Sequence, residues 1–441
     1  MMGSASPVGA YTVLIAVTNS WVIRNFLHSG VLENIGLKDR AVFLIFDRAV
    51  ASTLRNCGVP ENRVIYSPFN CPRSVEILRS IVLYVHVFRH APEFAKSKFN
   101  GGIRGFAYAA LRFVDKRAFL DKLYLLLQCV LRHSLRRQVS KIITPKFDLF
   151  ISAVPHSLED NILATKAATL GVPVVNWILS WDNIFSKGLM MDADLYFVWG
   201  SVMKRQLTNI YGNQIQNKVI VFGAPHIGGR YRPKKIMSVE LKRSALLYST
   251  ASGKHFPNEI NLVRRIVQAF KLGHFPSFST LIIRTHPAGP HVCFDQFVDS
   301  NAGVTVVHPT GASDTGLKSW RPETEELFEL CNLLSTVSVS INVASTMSLD
   351  CLRHGIKVIN LCGIFEESDL SVFYNFEHYS ELVKMNLVTI VESYEALYSA
   401  LRDPIQSAAP SDYQLFRTFV ADTDSRVLST ARERLDTLLR A

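Results

Sequence analysis

The stretch Val337 to Leu361, VSVSINVASTMSLDCLRHGIKVINL, leaves this chain the fewest choices of fold. Val337-Ser338-Val339-Ser340-Ile341-Asn342 is β-branched and apolar enough for a buried strand. Thr346 to His354 has helical spacing, with Met347 and Cys351 four apart on one face. Gly355 fits the left-handed position that follows a helix. Lys357 to Leu361 forms a second strand. A strand, a short helix and a strand make a parallel βαβ unit. Its junction, Ala344-Ser345-Thr346, sets two hydroxyls at a helix start, where unpaired N–H groups and the helix dipole favour an anion. This turn either binds a phosphate or is capped by its own hydroxyls.

The same alternation runs along both halves of the chain. In the first half, strands are expected at Val13–Val17, Ala41–Phe46, Arg63–Tyr66, Phe147–Ala153, Val172–Leu179, Leu195–Trp199 and Lys218–Phe222. A helix is expected from Trp21 to Ile35, ending at Gly36. In the second half, strands at Ala245–Tyr248, Thr280–Arg284 and Val304–Val307 precede the βαβ unit. The fold class is therefore α/β, with a doubly wound parallel sheet in each of two domains. Residues 1–230 form the first domain and 240–400 the second. Gly228-Gly229 and Pro233-Lys234-Lys235 form the linker, and a helical tail over 405–441 follows. A length of 441 residues suits two cores.

Lys96 to Lys146 interrupts the rhythm as a basic helical insertion. It holds twelve Lys and Arg residues against Asp115 and Asp121, with Phe106, Leu111, Phe119, Leu123, Leu126 and Leu127 interleaved. This suits amphipathic helices on an anionic membrane surface, or an ordinary solvated face. The formal net charge of +11 calls for an anionic partner. No nucleic-acid-binding motif is present, and no nucleic acid is expected as partner. The seven cysteines are scattered and form no CxxC pair, which suggests neither zinc nor a disulfide framework. The start of the chain reads as a first strand, not a signal peptide. No apolar run reaches the length of a spanning helix. A cytoplasmic location is expected, peripheral on the inner face of the cell membrane if the basic segment docks there.

The polar loops of the second domain all follow strands. They are Ser249-Thr250-Ala251-Ser252-Gly253-Lys254, Arg284-Thr285-His286, and Asn342 to Thr346. In an open parallel sheet such loops share one crevice, where ligands bind. Hydroxyls, a glycine loop, Arg284 and His286 converging there suit a nucleotide diphosphate. The Walker spacing and GxGxxG are both absent.

Several segments carry a family resemblance: Ser180-Trp181-Asp182-Asn183 with Lys187-Gly188, Ala193 to Gly200, Gly223-Ala224-Pro225, Ile283 to Pro287, and Ala344-Ser345-Thr346 with Ser348-Leu349-Asp350. Over roughly 147–365 the chain resembles nucleotide-sugar glycosyltransferases of the two-Rossmann-domain (GT-B) type. It is also similar to CDP-glycerol glycerophosphotransferases and to nucleotide-sugar 2-epimerases, which share the architecture. The resemblance implies two Rossmann-like domains facing a cleft, a nucleotide-sugar donor as substrate, no further cofactor, and a lipid-linked or polysaccharide acceptor of the cell surface. The family often carries Glu where this chain has the shorter Asp350.

Glycosyl transfer needs a base for the acceptor hydroxyl and cationic or N–H groups for the departing phosphate. The second role suits Arg284, His286, Ser345 and Thr346, with Ser249, Thr250, Gly253 and Asp350 completing the donor side. Asp182 is the leading base, flanked by Trp181 and Asn183, with Lys187 also on the acceptor side; Asp182-Asn183 reads equally as an Asx turn. His156, near Glu159 and Asp160, is the alternative base. Asp192-Ala193-Asp194 matches the DxD metal motif but runs straight into a strand, so no metal is expected. Two other classes remain open: a 2-epimerase, which needs no acceptor, and a noncatalytic nucleotide- or nucleic-acid-binding protein.

Overall fold

A computed structural model describes residues 11–98, 117–228, 243–253, 255–289, 291–313, 320–402 and 413–440. Gly229, Pro233, Lys234 and Lys235 of the expected linker lie outside them, as do Lys254 and Arg104, Phe106, Leu111, Arg112 and Lys116 of the basic segment.

The first lobe holds β1 (Val13–Val17), β2 (Ala41–Ile45), β3 (Val64–Tyr66), β4 (Leu149–Ser152), β5 (Val174–Trp177), β6 (Leu195–Val198) and β7 (Val219–Val221). All pair in parallel, in the order β3-β2-β1-β4-β5-β6-β7. Every residue of β1 is buried. Val13, Ile15 and Val17 enter one core and Leu14 and Ala16 the other. A sheet covered on both faces has no polar side, which is why its strands read as continuous apolar runs.

The second lobe holds β8 (Ala245–Ser249), β9 (Thr280–Arg284), β10 (Val304–Val307), β11 (Val337–Asn342), β12 (Lys357–Leu361), the small hairpin β13 (Ile364–Phe365) and β14 (Ser368–Asp369), and β15 (Thr389–Val391). Its parallel sheet runs β10-β9-β8-β11-β12-β15. Strand order therefore reverses between β1 and β4 in one lobe and between β8 and β11 in the other. These are the two topological switch points where such sheets bind ligands.

The organising unit forms as its sequence indicates. β11 leads to the helix Met347–Arg353, Gly355 turns at φ +68°, and β12 pairs with β11 so that Asn342 lies beside Asn360. The expected helix from Trp21 to Ile35 is instead broken. An α-turn over Ser20–Ile23 widens to π geometry over Arg24–His28 and stops at Gly30, whose φ of +72° is incompatible with a continuing helix. A last helix, Ser425–Arg440, returns to the first lobe and places Ala431 and Leu435 in its core. The segment before it is bonded there too: Val202 N–H to Thr418 O, Ala421 N–H to Trp199 O, and Thr423 Oγ1 to Phe222 O. Gly223 (φ +100°) permits this path, since a Cβ there would lie 2.6 Å from the Ala421 carbonyl oxygen.

Candidate functional site

A cleft of about 660 Å³ opens over the C-terminal ends of the first-lobe strands. His156 follows β4, Asp182, Asn183 and Lys187 follow β5, and Thr346 reaches in from the second lobe. Arg79 and Glu76, from the helix Arg73–His90, close one side.

The loop carrying His156 is shaped by Asp160. This buried carboxylate accepts from Ser152 Oγ (2.7 Å), Val154 N–H (2.9 Å) and Ser157 Oγ (3.1 Å), while Ser157 caps the following helix, Leu158–Leu170. Burial pushes the Asp160 carboxyl up to about 7 despite those three bonds. Arg79 donates to the His156 carbonyl at 2.7 Å. Burial, with Lys187 nearby, pushes the His156 imidazole down to about 3, so it is neutral at physiological pH. Its Nδ1 is buried without a hydrogen-bond partner.

Asp182 begins the single helical turn Asn183–Ser186. Its carboxylate bonds no backbone N–H of that turn; it accepts from the Ser180 and Ser186 hydroxyls, the latter at 2.8 Å. The Asx-turn reading is thereby corrected: two flanking serines claim the side chain first. Burial would raise this carboxyl, but His378, Lys187 and the two hydroxyls outweigh it and hold it below the usual carboxylate range. Gly188 ends the turn at φ +68°, where a Cβ would meet the His86 ring at 2.8 Å.

Trp181 is buried at the junction of the lobes. Its Nε1–H donates to Thr346 Oγ1 at 3.2 Å, and its ring stands edge-on to His378, with centroids 5.1 Å apart. His378 therefore joins the site from the second lobe, although its local sequence carries no motif. Asp194 accepts from Val174 N–H at 2.9 Å and Asp192 pairs with Arg132 at 3.0 Å, so neither acid of the DxD match faces the cleft. Among the described residues, no three His, Cys, Asp or Glu side chains group so as to hold a metal ion.

The donor-side residues are brought to one end of the second sheet, yet only Thr346 lines the cleft. Thr250 Oγ1 accepts from His286 N–H at 2.9 Å, which locks the loop after β8 to the loop after β9. Glu259 supports the loop that continues to Gly253. It accepts from Tyr248 Oη (2.9 Å) and Ala251 N–H (2.8 Å), and burial pushes its carboxyl up to about 8. Burial pushes the His286 imidazole down to about 4. Arg284 is buried against Glu326 (3.2 Å), which also pairs with Arg24 of the first lobe (2.8 Å). Asp350 faces this same cluster, 3.9 Å from His226 Nε2, and burial pushes it up to about 6. Burial holds His226 neutral, and its Nδ1 pairs with Asn25 Oδ1 at 2.9 Å. Ser345 Oγ accepts from Met347 N–H at 3.2 Å, a local cap, and Ala344 before it sits at φ +35°.

Two polar atoms of this sheet end are buried without partners: Ser249 Oγ on β8 and Asn342 Nδ2 on β11. The pairing of Tyr248 with Ile341 puts these residues side by side, at the second-lobe switch point. The sequence places Asn342 at the start of a crevice loop but does not single it out as a site residue. A polar side chain ending a buried strand was the available signal.

No protein-family model matches the sequence, and no curated protein matches it. Solved structures do share its fold. The S. aureus MnaA–UDP co-structure superposes with a TM-score of 0.52 at 11% identity, over 98% of this chain and 97% of that chain. A putative UDP-N-acetylglucosamine 2-epimerase from Listeria monocytogenes superposes with a TM-score of 0.51 at 10% identity, over 98% and 97%. At these identities the likeness is one of fold: two parallel α/β sheets of the GT-B type.

Proposed function

We propose that the chain is a nucleotide-sugar enzyme that transfers the sugar to a hydroxyl of a lipid-linked or polysaccharide acceptor. The observation that carries this reading is the adjacent pair of unpartnered buried atoms, Ser249 Oγ and Asn342 Nδ2, at the second-lobe switch point. Buried polar atoms are normally satisfied, and a nucleotide bound there supplies the missing partners. The UDP named with the S. aureus structure supports that ligand class. In this reading the diphosphate lies at the Ser345–Thr346 turn. Arg284, already paired with Glu326, acts on it as part of a positive field and not as a free clamp.

The sugar then points into the first-lobe cleft. Asp182, ionised and oriented by Ser180 and Ser186, takes the acceptor proton as the acceptor oxygen bonds to the anomeric carbon. The bond from that carbon to the diphosphate breaks, and the charge leaves on the nucleotide. Neutral His156 orients the acceptor hydroxyl. The cleft volume supports transfer, since a second molecule must be seated beside the sugar.

Epimerisation at C2 is the second reading, favoured by the fold shared with the Listeria protein. Incubation with a panel of nucleotide sugars separates the readings. Transfer predicts saturable binding and little turnover without an acceptor; epimerisation predicts turnover of the nucleotide sugar alone. Absence of binding to every nucleotide sugar sinks both.

A further inference from the structure

The helix Arg117–Arg136 is apolar on two sides. Its inner side sets Tyr124, Leu131 and Leu135 in the first-lobe core. Its outer side presents Phe119 (50% exposed), Leu125 (64%), Leu126 (62%) and Val130 (45%). Phe119, Leu126 and Val130, seven and four residues apart, form one stripe of that side, and Leu125 borders it about 100° round the helix from Leu126. A helix on a protein surface ordinarily turns polar residues outward, and a contiguous exposed apolar face marks an interaction site. Lys122 is exposed on this face, Arg136 and Arg137 at its end, and Lys141 and Lys146 beyond it. Asp121 is the sole acid from residue 117 to 146, and Arg89 holds it at 2.6 Å.

The helix Arg73–His90 packs antiparallel beside it, as the Arg89–Asp121 pair and the His86 and Tyr124 rings at 5.9 Å require. Ile77 and Ile81 of that helix are exposed as well, while its Glu76, Arg79 and Leu83 line the cleft. One helix width, roughly 10 Å, therefore separates the apolar face from the cleft.

We propose that this face docks on an anionic lipid bilayer, with Leu125, Leu126, Phe119 and Val130 entering the headgroup boundary and the basic residues lying against the charged surface. The mode is that of a helix lying in the interface. Among the described residues, no helix is long and apolar enough to cross a membrane. Charge chooses the occupant. A two-fold contact with a second copy would set the same unopposed cations against each other, whereas an anionic leaflet attracts all of them. The cleft mouth then sits beside the headgroups. This inference goes beyond the proposed reaction and does not depend on which nucleotide sugar is used.

The test is sedimentation of the full-length protein with vesicles of equal parts phosphatidylglycerol and phosphatidylcholine, against phosphatidylcholine alone. Binding to the anionic vesicles should weaken as salt rises and leave a salt-resistant remainder. Leu125→Gln with Leu126→Gln should cut partitioning about tenfold or more and melt like the wild type, both positions being mostly exposed. Arg136→Gln with Arg137→Gln should cut it roughly tenfold and flatten the salt dependence. No sedimentation at low salt overturns the proposal, as does a leucine variant that binds like the wild type. A leucine variant that turns a dimer into a monomer in light scattering also overturns it, assigning the face to a second copy. Nucleotide-sugar binding measured on the same preparations keeps this result separate from the fate of the proposed reaction.

Discussion

The strand ends of the two lobes share one topology and differ in what their polar groups face. In the first lobe, His156, Asp182 and Lys187 border an open cleft. In the second, most polar groups face one another: Thr250 with His286, Arg284 with Glu326, and Ser348 with Asn342 and Tyr379. Glu326 extends that closed set across the lobe boundary to Arg24. The lesson is that a doubly wound sheet end can be given to chemistry or to holding a neighbour in register. Here the second lobe does mainly the latter, save for Ser249 Oγ and Asn342 Nδ2.

The contrast can be broken most forcefully at Glu326. Replacing it by Ala leaves Arg24 and Arg284 buried without the carboxylate that bonds both, and only Asp350 nearby. That should cost about 3–5 kcal/mol of stability in chemical denaturation. A loss below 1 kcal/mol would mean that water already reaches this cluster. Asp182→Asn is the counterpart in the open lobe. It should lower turnover about a hundredfold or more while nucleotide binding and melting temperature stay near wild type; full activity would remove Asp182 as the base.

A third experiment compares the carboxyls under the two loops, Asp160 at about 7 and Glu259 at about 8. Each is raised above its unfolded value, so each favours the folded state at low pH, and its contribution is lost as pH rises through the folded value. Stability should therefore fall from about pH 5 to 8. Glu259→Gln keeps a carbonyl for Tyr248 and Ala251 and should remove its share of that slope. An unchanged slope in denaturant midpoints would show that Glu259 ionises normally. The smallest effect belongs to Trp181→Phe, which keeps a ring beside His378 and loses only the bond to Thr346. About 1 kcal/mol is expected, with a weaker affinity for the nucleotide sugar as the second readout; unchanged affinity would separate Trp181 from the donor turn.

How much of this was legible depends on the range of the interactions. β11, its helix and β12 could be read because a buried parallel strand announces itself in six residues and Gly355 marks the stop. The positions of His156 and Asp182 followed from strand ends alone. The partner of Arg284 did not, because Glu326 is 42 residues away on another element. A trace of it existed: Glu326, Leu330 and Leu334 recur every four residues, which places an acid in the buried stripe of its helix. His378 left no trace, since its meaning comes only from packing on Trp181. The break at Gly30 was hidden by apolar spacing that continues past it.

The return of Ser425–Arg440 to the first lobe has a consequence for how the protein is made. The first lobe contains residues synthesised after the second lobe, since Ala431 and Leu435 join the core formed by Val13, Ile15 and Trp177. While the second lobe is still emerging from the ribosome, that core stands open on one side. The second lobe is contiguous apart from its contact with the tail, where Arg353 pairs with Asp422, and can close first. A released chain truncated after residue 402 should therefore lose more protease resistance in its first lobe than in its second.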